Sequence, residues 1–91
     1  MKIADSNGEP ADALALQALA WTLSDSDRAG RLLALTGLHP HDLRERIGEP
    51  SVLAACLLFL EAHEPDLIAC ASVLDCKPEA LVRARHELER L

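Results

Sequence analysis

The chain has 91 residues, with nine Lys and Arg against fifteen Asp and Glu and a formal net charge of −6 at pH 7. A chain of this length closes one hydrophobic core and has too little interior for two. Its acidic balance repels polyphosphate backbones and anionic lipid, which disfavours nucleic acid and membrane surfaces as partners.

The apolar composition favours helices. Leucine and alanine dominate it, with one Trp, one Phe and no Tyr, and this usage is typical of helix and not of sheet. The longest apolar run, residues 52–60, is less than half of the roughly 20 residues that a membrane-spanning helix needs. The first residues lack the apolar core of a secretory signal, and three cysteines without a CxxC pair indicate reduced thiols. We therefore expect an all-α cytoplasmic protein without a membrane partner.

Five prolines mark predicted helix starts, because each lies near an acidic residue and precedes a Leu-rich or Ala-rich segment. In chain order, the predicted helices cover residues 10–23, 27–36, 40–47, 50–62, 65–74 and 78–91. Gly37 and Gly48 are expected to end the second and third helices. The sequence thus predicts a single compact domain, residues 1–91, with five or six short helices and a flexible segment at residues 1–9.

The first and fourth predicted helices lack a clear solvent face. Only Gln17 and Thr22 are polar within residues 13–23, and no residue is polar within 52–60. A helix that is apolar on all sides is surrounded by protein, so both helices are expected at the centre of the bundle. Because so small a bundle has few elements to cover them, the pattern predicts self-association or a protein partner.

A shift of 38 residues aligns the first three predicted helices with the last three. Trp21 then coincides with Phe59, and both are expected near the middle of the core; the other matched pairs are Pro40 with Pro78 and Leu43 with Leu81. A shared rule for starting helices is the alternative explanation of these matches. If the repeat is real, the two halves are related by a pseudo-twofold axis and the turns at residues 37–40 and 75–78 are equivalent.

Histidines, cysteines and carboxylates supply metal ligands, but their spacing does not form a metal motif. His39 and His41 are the only close histidine pair, at a helix start, and no CxxC or HxxxH pair is present. Cys76, in a predicted turn, is the best candidate nucleophile, without an identified base. We predict a non-enzymatic protein with no cofactor and no catalytic, cofactor-binding or metal residue; a thiol enzyme or metal protein is the less favoured alternative.

The segment ALTGLHPHDLRERI resembles the turn and the start of the recognition helix in bacterial helix-turn-helix repressors. Gly37 has the position of the turn glycine, and Leu43 and Ile47 have those of the buried face. The exposed side carries Arg44 and Arg46 among carboxylates, whereas affinity for DNA comes mainly from basic side chains on the phosphates. A DNA-binding regulator is therefore an alternative function.

Longer stretches of the chain resemble a bacterial family catalogued as domain of unknown function 3572. The similarity covers nearly the whole chain, and its most specific segments are residues 15–23, 31–44, 57–60 and 78–85. The resemblance implies a short, all-helical, alphaproteobacterial protein and no activity, so no catalytic or binding residue follows from it. We predict a non-catalytic protein-interaction or oligomerising module.

Overall fold

A computed structural model describes residues 10–91, which form six α-helices and no strand. The predicted flexible segment at residues 1–9 lies outside the described residues. Each predicted helix is present, with both ends within two residues of the expected position. The all-α prediction is thus confirmed for the described residues. The helices are α1 (Ala11–Leu23), α2 (Ser26–Thr36), α3 (Pro40–Glu45), α4 (Pro50–Glu61), α5 (Glu64–Val73) and α6 (Pro78–Glu89).

Proline begins most of the helices, as predicted. Pro40, Pro50 and Pro78 are the first residues of their helices, and Pro65 is the second residue of α5. Proline is suited to this place because its fixed φ is already helical and its missing N–H would have no partner within the helix. The start of α2 uses a side chain instead: the Asp25 carboxylate accepts a hydrogen bond of 2.9 Å from the backbone N–H three residues later.

The turns after α2 and α5 are equivalent, as the 38-residue shift predicts. Gly37 (φ 74°) and Asp75 (φ 59°) are the only residues with positive φ in the described range. Two residues later, His39 (φ −87°, ψ 155°) and Lys77 (φ −82°, ψ 148°) are both extended and precede the proline that begins a helix. The two halves therefore repeat in these turns and in the proline that begins α3 and α6; the pseudo-twofold relation between the halves stays a prediction.

The core lies where α6 packs along both α1 and α4. In α1 the buried Thr22 hydroxyl donates to the Ala18 carbonyl oxygen at 2.8 Å, so its polar group is satisfied inside the core. The fourth helix contributes the most buried residues, which are Val52, Leu53, Ala54, Cys56, Leu57, Phe59 and Leu60. Between residues 10 and 91, no helix combines the length and apolar character needed to cross a membrane.

The two aromatic residues differ in burial. Phe59 is buried, as predicted, but Trp21 is only half-buried at the edge of the core. The Arg28 guanidinium lies 3.7 Å from the centroid of the Trp21 ring, and its Nη2 donates to the Trp21 carbonyl oxygen at 2.9 Å. The guanidinium covers one face of the ring, so that face contacts a charged side chain and not the apolar core. The expected central position of Trp21 is therefore wrong.

Helix α3 is shorter than predicted. It ends at Glu45, and Gly48 lies three residues later without the left-handed φ that would end a helix. Ile47 is consequently outside the helix and 37% exposed, so the expectation that it joins the buried face is wrong. Leu43, on the other hand, is buried as predicted.

Candidate interaction surface on α4

Helix α4 has one outward-facing stripe, and that stripe carries no charge. Ser51, Ala55, Leu58 and Ala62 follow the spacing i, i+4, i+7 and i+11, which places them on one side of a helix. Ser51, Leu58 and Ala62 are exposed and Ala55 is half-buried. Because every residue within 52–60 is apolar, whichever side of α4 points outward has to be apolar.

A groove lies on each side of the stripe. The groove between α4 and the end of α6 has a volume of ≈ 610 Å³, and the groove between α4 and the α2–α3 turn has a volume of ≈ 390 Å³. Ser51, Ala55 and Leu58 line both grooves, so the two are continuous. The stripe with both grooves is named the α4 surface. Its further apolar lining comes from Leu35, Leu38, Val52, Phe59, Leu88 and Leu91.

Large apolar side chains project from this surface. Leu35 is 64% exposed, Leu58 is 51% exposed and Leu91 is 86% exposed. Single exposed leucines are ordinary, but contiguous apolar surface with polar edges marks sites of interaction. The last helix was expected to reach Leu91, but α6 ends at Glu89 and Leu91 follows its last turn.

The charged side chains at the edges are paired with one another. Arg46 Nη2 lies 3.0 Å from Glu49 Oε1 at the start of α4. Arg85 bonds both Glu61 and Glu89, with Nη2 3.0 Å from Glu61 Oε1 and Nη1 2.9 Å from Glu89 Oε2. The hydrogen bonds that Arg85 donates to Glu61, and next to Glu89, raise the pKa of Arg85 above its already high value. Both arginines at these edges are thus paired within the chain, and Arg85, bonded to two carboxylates, leaves an excess of one negative charge.

A family model described as "Protein of unknown function (DUF3572)" matches residues 8–90. The chain belongs to this family. The resemblance inferred from the sequence segments is thereby confirmed. No significant match to the chain was found among curated proteins or among solved structures.

The cysteines of this DUF3572 protein lie in or against the core. Burial raises the pKa of Cys56 to about 11 and that of Cys70 to about 12, so both are neutral thiols near pH 7. Cys76 is half-buried and its N–H donates to the Ala71 carbonyl oxygen at 2.9 Å. Together with the left-handed Asp75, this bond forms the Schellman ending of α5, in which the residue after the left-handed one packs back on the helix. This turn gives Cys76 a structural role.

The histidines of this family member are dispersed. His39 and His41 are exposed, and His41 Nε2 lies 3.2 Å from Glu45 Oε2. His63 follows the end of α4 in the sequence, and its Nδ1 lies 3.0 Å from Asp66 Oδ2. Within residues 10–91, no group of three His, Cys, Asp or Glu side chains is placed to hold a metal ion. The predicted ligand types are present, but the described structure does not bring them together.

The helix-turn-helix-like segment has a turn of three residues, 37–39, between α2 and α3. Arg44 and Arg46 are exposed, and Arg46 lies just after the end of α3. With six residues, α3 has fewer than two turns. The segment therefore has the turn of such a motif and a shorter second helix than the sequence predicts.

Sequence reasoning identified α4 as unusually apolar but did not identify its outward stripe. The signal was available in part, because residues 52–60 leave no polar side. Which side points outward depends on how α2, α3 and α6 pack around α4. Leu35 gave no signal of its own, since leucine at the end of an amphipathic helix is most often buried.

Proposed function

We propose that this protein is a small, non-catalytic interaction module of the bacterial cytoplasm that binds another polypeptide through its α4 surface. The observation that carries the proposal is the continuity of the two grooves through Ser51, Ala55 and Leu58. An apolar helix is the partner element whose shape fits a stripe between two grooves. The three cysteines form no disulfide within residues 10–91, which supports a cytoplasmic location.

Apolar burial is the main source of binding energy at such a surface. Full burial of one leucine contributes about 1.5–3 kcal/mol, and three leucines on the α4 surface are at least half exposed. An exposed ion pair contributes about 0–1 kcal/mol. The paired charges at the edges are therefore expected to affect specificity and association rate more than affinity.

In-cell photo-crosslinking tests the proposal. A photoreactive amino acid replaces Ser51, and the adducts are compared in the otherwise unchanged chain, in Leu58→Lys and in Ile68→Lys. Ile68 on α5 is the matched control for Leu58 on α4, because the two side chains are 52% and 51% exposed. We expect an adduct that Leu58→Lys removes and Ile68→Lys preserves. No adduct, or equal loss in both variants, would refute binding through the α4 surface.

A DNA-binding regulator is the second proposal. The observation that favours it is the left-handed Gly37 in a three-residue turn before a helix with the exposed Arg44. The carboxylates beside that arginine and the net charge of −6 weaken it. Retention on DNA at low salt is its direct test.

A further inference from the structure

We infer that the α4 surface binds the α4 surface of a second copy of the chain, with the two α4 helices antiparallel and Ala55 of each copy opposite Leu58 of the other. This inference rests on the proposed function and names the partner of the same site. Its basis is the order of side-chain sizes along the stripe, the charges around it and the area that two copies bury.

The stripe is complementary to itself only in the antiparallel direction. There, the small Ala55 accommodates the large Leu58 of the second copy, while Ser51 meets Ala62. Both contacts occur twice, as a closed twofold interface requires. A parallel pair would place Leu58 against Leu58 and leave a gap between two small residues. Antiparallel packing also brings the positive end of each helix dipole near the negative end of the other.

The charges fit a second copy better than a basic partner. No residue of the stripe is charged, and the two carboxylates that line the groove beside α6, Glu49 and Glu89, are each bonded to an arginine of the same chain. Arg46 is paired with Glu49, and Arg85 with both Glu61 and Glu89, within each copy, so burial beside a second copy leaves no cation unpaired. Two chains with a net charge of −6 each repel at long range. Since salt screens that repulsion, the dimer becomes tighter as salt increases.

The available area predicts a weak dimer. Twelve residues make α4 about 18 Å long, and the described molecule measures 40 × 27 × 18 Å. A helix with its side chains is about 10–12 Å wide, so the face of α4 alone offers about 200 Å² on each copy, and the contact depends on the flanking grooves to approach the roughly 1,000 Å² in total of a specific interface. We therefore expect dissociation in the micromolar to submillimolar range and not an obligate dimer.

Sedimentation equilibrium of the purified full chain, from about 10 µM to about 1 mM, measures the dimer directly. We expect a mass that rises with concentration toward twice the chain mass, at least about tenfold weaker association in Leu58→Lys and less than about twofold change in Ile68→Lys. Higher salt should strengthen association. Circular dichroism confirms that both variants are folded. A monomer at every concentration, or association that salt weakens, overturns the inference.

Disulfide trapping tests the register. In a Cys76→Ser background, chains with Ala55→Cys and chains with Leu58→Cys are oxidised separately and as a mixture. We expect the mixture to form about tenfold more linked dimer than either chain alone. Equal linkage by Ala55→Cys alone overturns the antiparallel register.

The two proposals fail differently. If the purified chain is monomeric while Ser51 is cross-linked in cells to a different protein, the second copy is excluded and the proposed interaction surface stands. If the chain is monomeric and Ser51 gives no adduct, both are overturned.

Discussion

Replacing Gly37 with alanine should destabilise the fold even though the added methyl group contacts nothing. A Cβ built at this position has no heavy atom within 4 Å, and the backbone φ is +74°. The cost is therefore conformational, because a left-handed L-residue destabilises the fold by about 1–2 kcal/mol. The lower conformational entropy of the unfolded alanine variant offsets about 0.4–1 kcal/mol of this loss. We expect a net loss of about 1 kcal/mol, which lowers Tm by about 4–8 °C in a domain of this size.

Substitutions at two other positions should increase the free energy of unfolding. Gly30 lies inside α2 with no heavy atom within 4 Å of a built Cβ, so Gly30→Ala should stabilise by about 0.5–1 kcal/mol. Asp75 has the left-handed φ of 59° at the position equivalent to Gly37. Asp75→Gly relieves that strain, and we expect a gain below about 1 kcal/mol because Asp tolerates this conformation better than most residues.

Urea unfolding followed by far-ultraviolet circular dichroism gives the three free energies of unfolding. The expected order is Gly30→Ala and Asp75→Gly above the unchanged chain, with Gly37→Ala below it. If Gly37→Ala is as stable as Gly30→Ala, the left-handed φ at position 37 does not contribute to stability. The shared φ of Gly37 and Asp75 would then have no energetic consequence. Equal slopes against urea are needed for this comparison.

The remaining predictions concern thiols, alkaline stability and DNA. A thiol reagent should label the half-buried Cys76 first, and Cys56 and Cys70 only on unfolding; equal labelling rates in the native protein would contradict their burial. Because their folded pKa values, about 11 and about 12, exceed the unfolded value, the folded state holds more protons. The contribution of these thiols to the free energy of unfolding is therefore fully present below the unfolded pKa of about 8.5, and it decreases as pH rises toward 12. Urea midpoints unchanged between pH 8 and pH 11, about the span of this titration, would be inconsistent with it. For the DNA-binding proposal, retention on DNA at low salt should disappear in Arg44→Glu with Arg46→Glu, and no retention by the unchanged chain rejects that proposal.

Helix positions could be predicted because local chemistry determines them. Pro40 and Pro78 fix the first residue of their helices, and Gly37 ends α2 through a conformation that few other residues adopt. The position of Trp21 could not be predicted in the same way. It depends on Arg28, which approaches the ring from the next helix, and such contacts across a turn have no periodic signature in the sequence.

The sequence predicted that α4 has excess apolar surface but not where that surface lies, for a related reason. The absence of polar residues in α4 predicted apolar surface in excess of what the bundle covers. The location of that surface depends on where neighbouring helices end, and helix ends are the least certain part of a prediction from periodicity. Leu91 illustrates this: the predicted helix includes it, but α6 ends two residues earlier and Leu91 is 86% exposed.

The α4 surface arises where the two halves of the chain cease to match. The 38-residue shift aligns Arg46 with Ala84. Arg46 lines the groove between α4 and the α2–α3 turn, whereas Ala84 is buried in α6. In the second half the third helix has twelve residues and continues past this position; in the first half it has six and ends before it. A third helix as long as α6 would carry position 46 within it, whereas the short α3 leaves Arg46 at the edge of an open groove. The short α3 therefore accounts for the groove beside Arg46, which is one of the two grooves of the surface that we propose binds a partner.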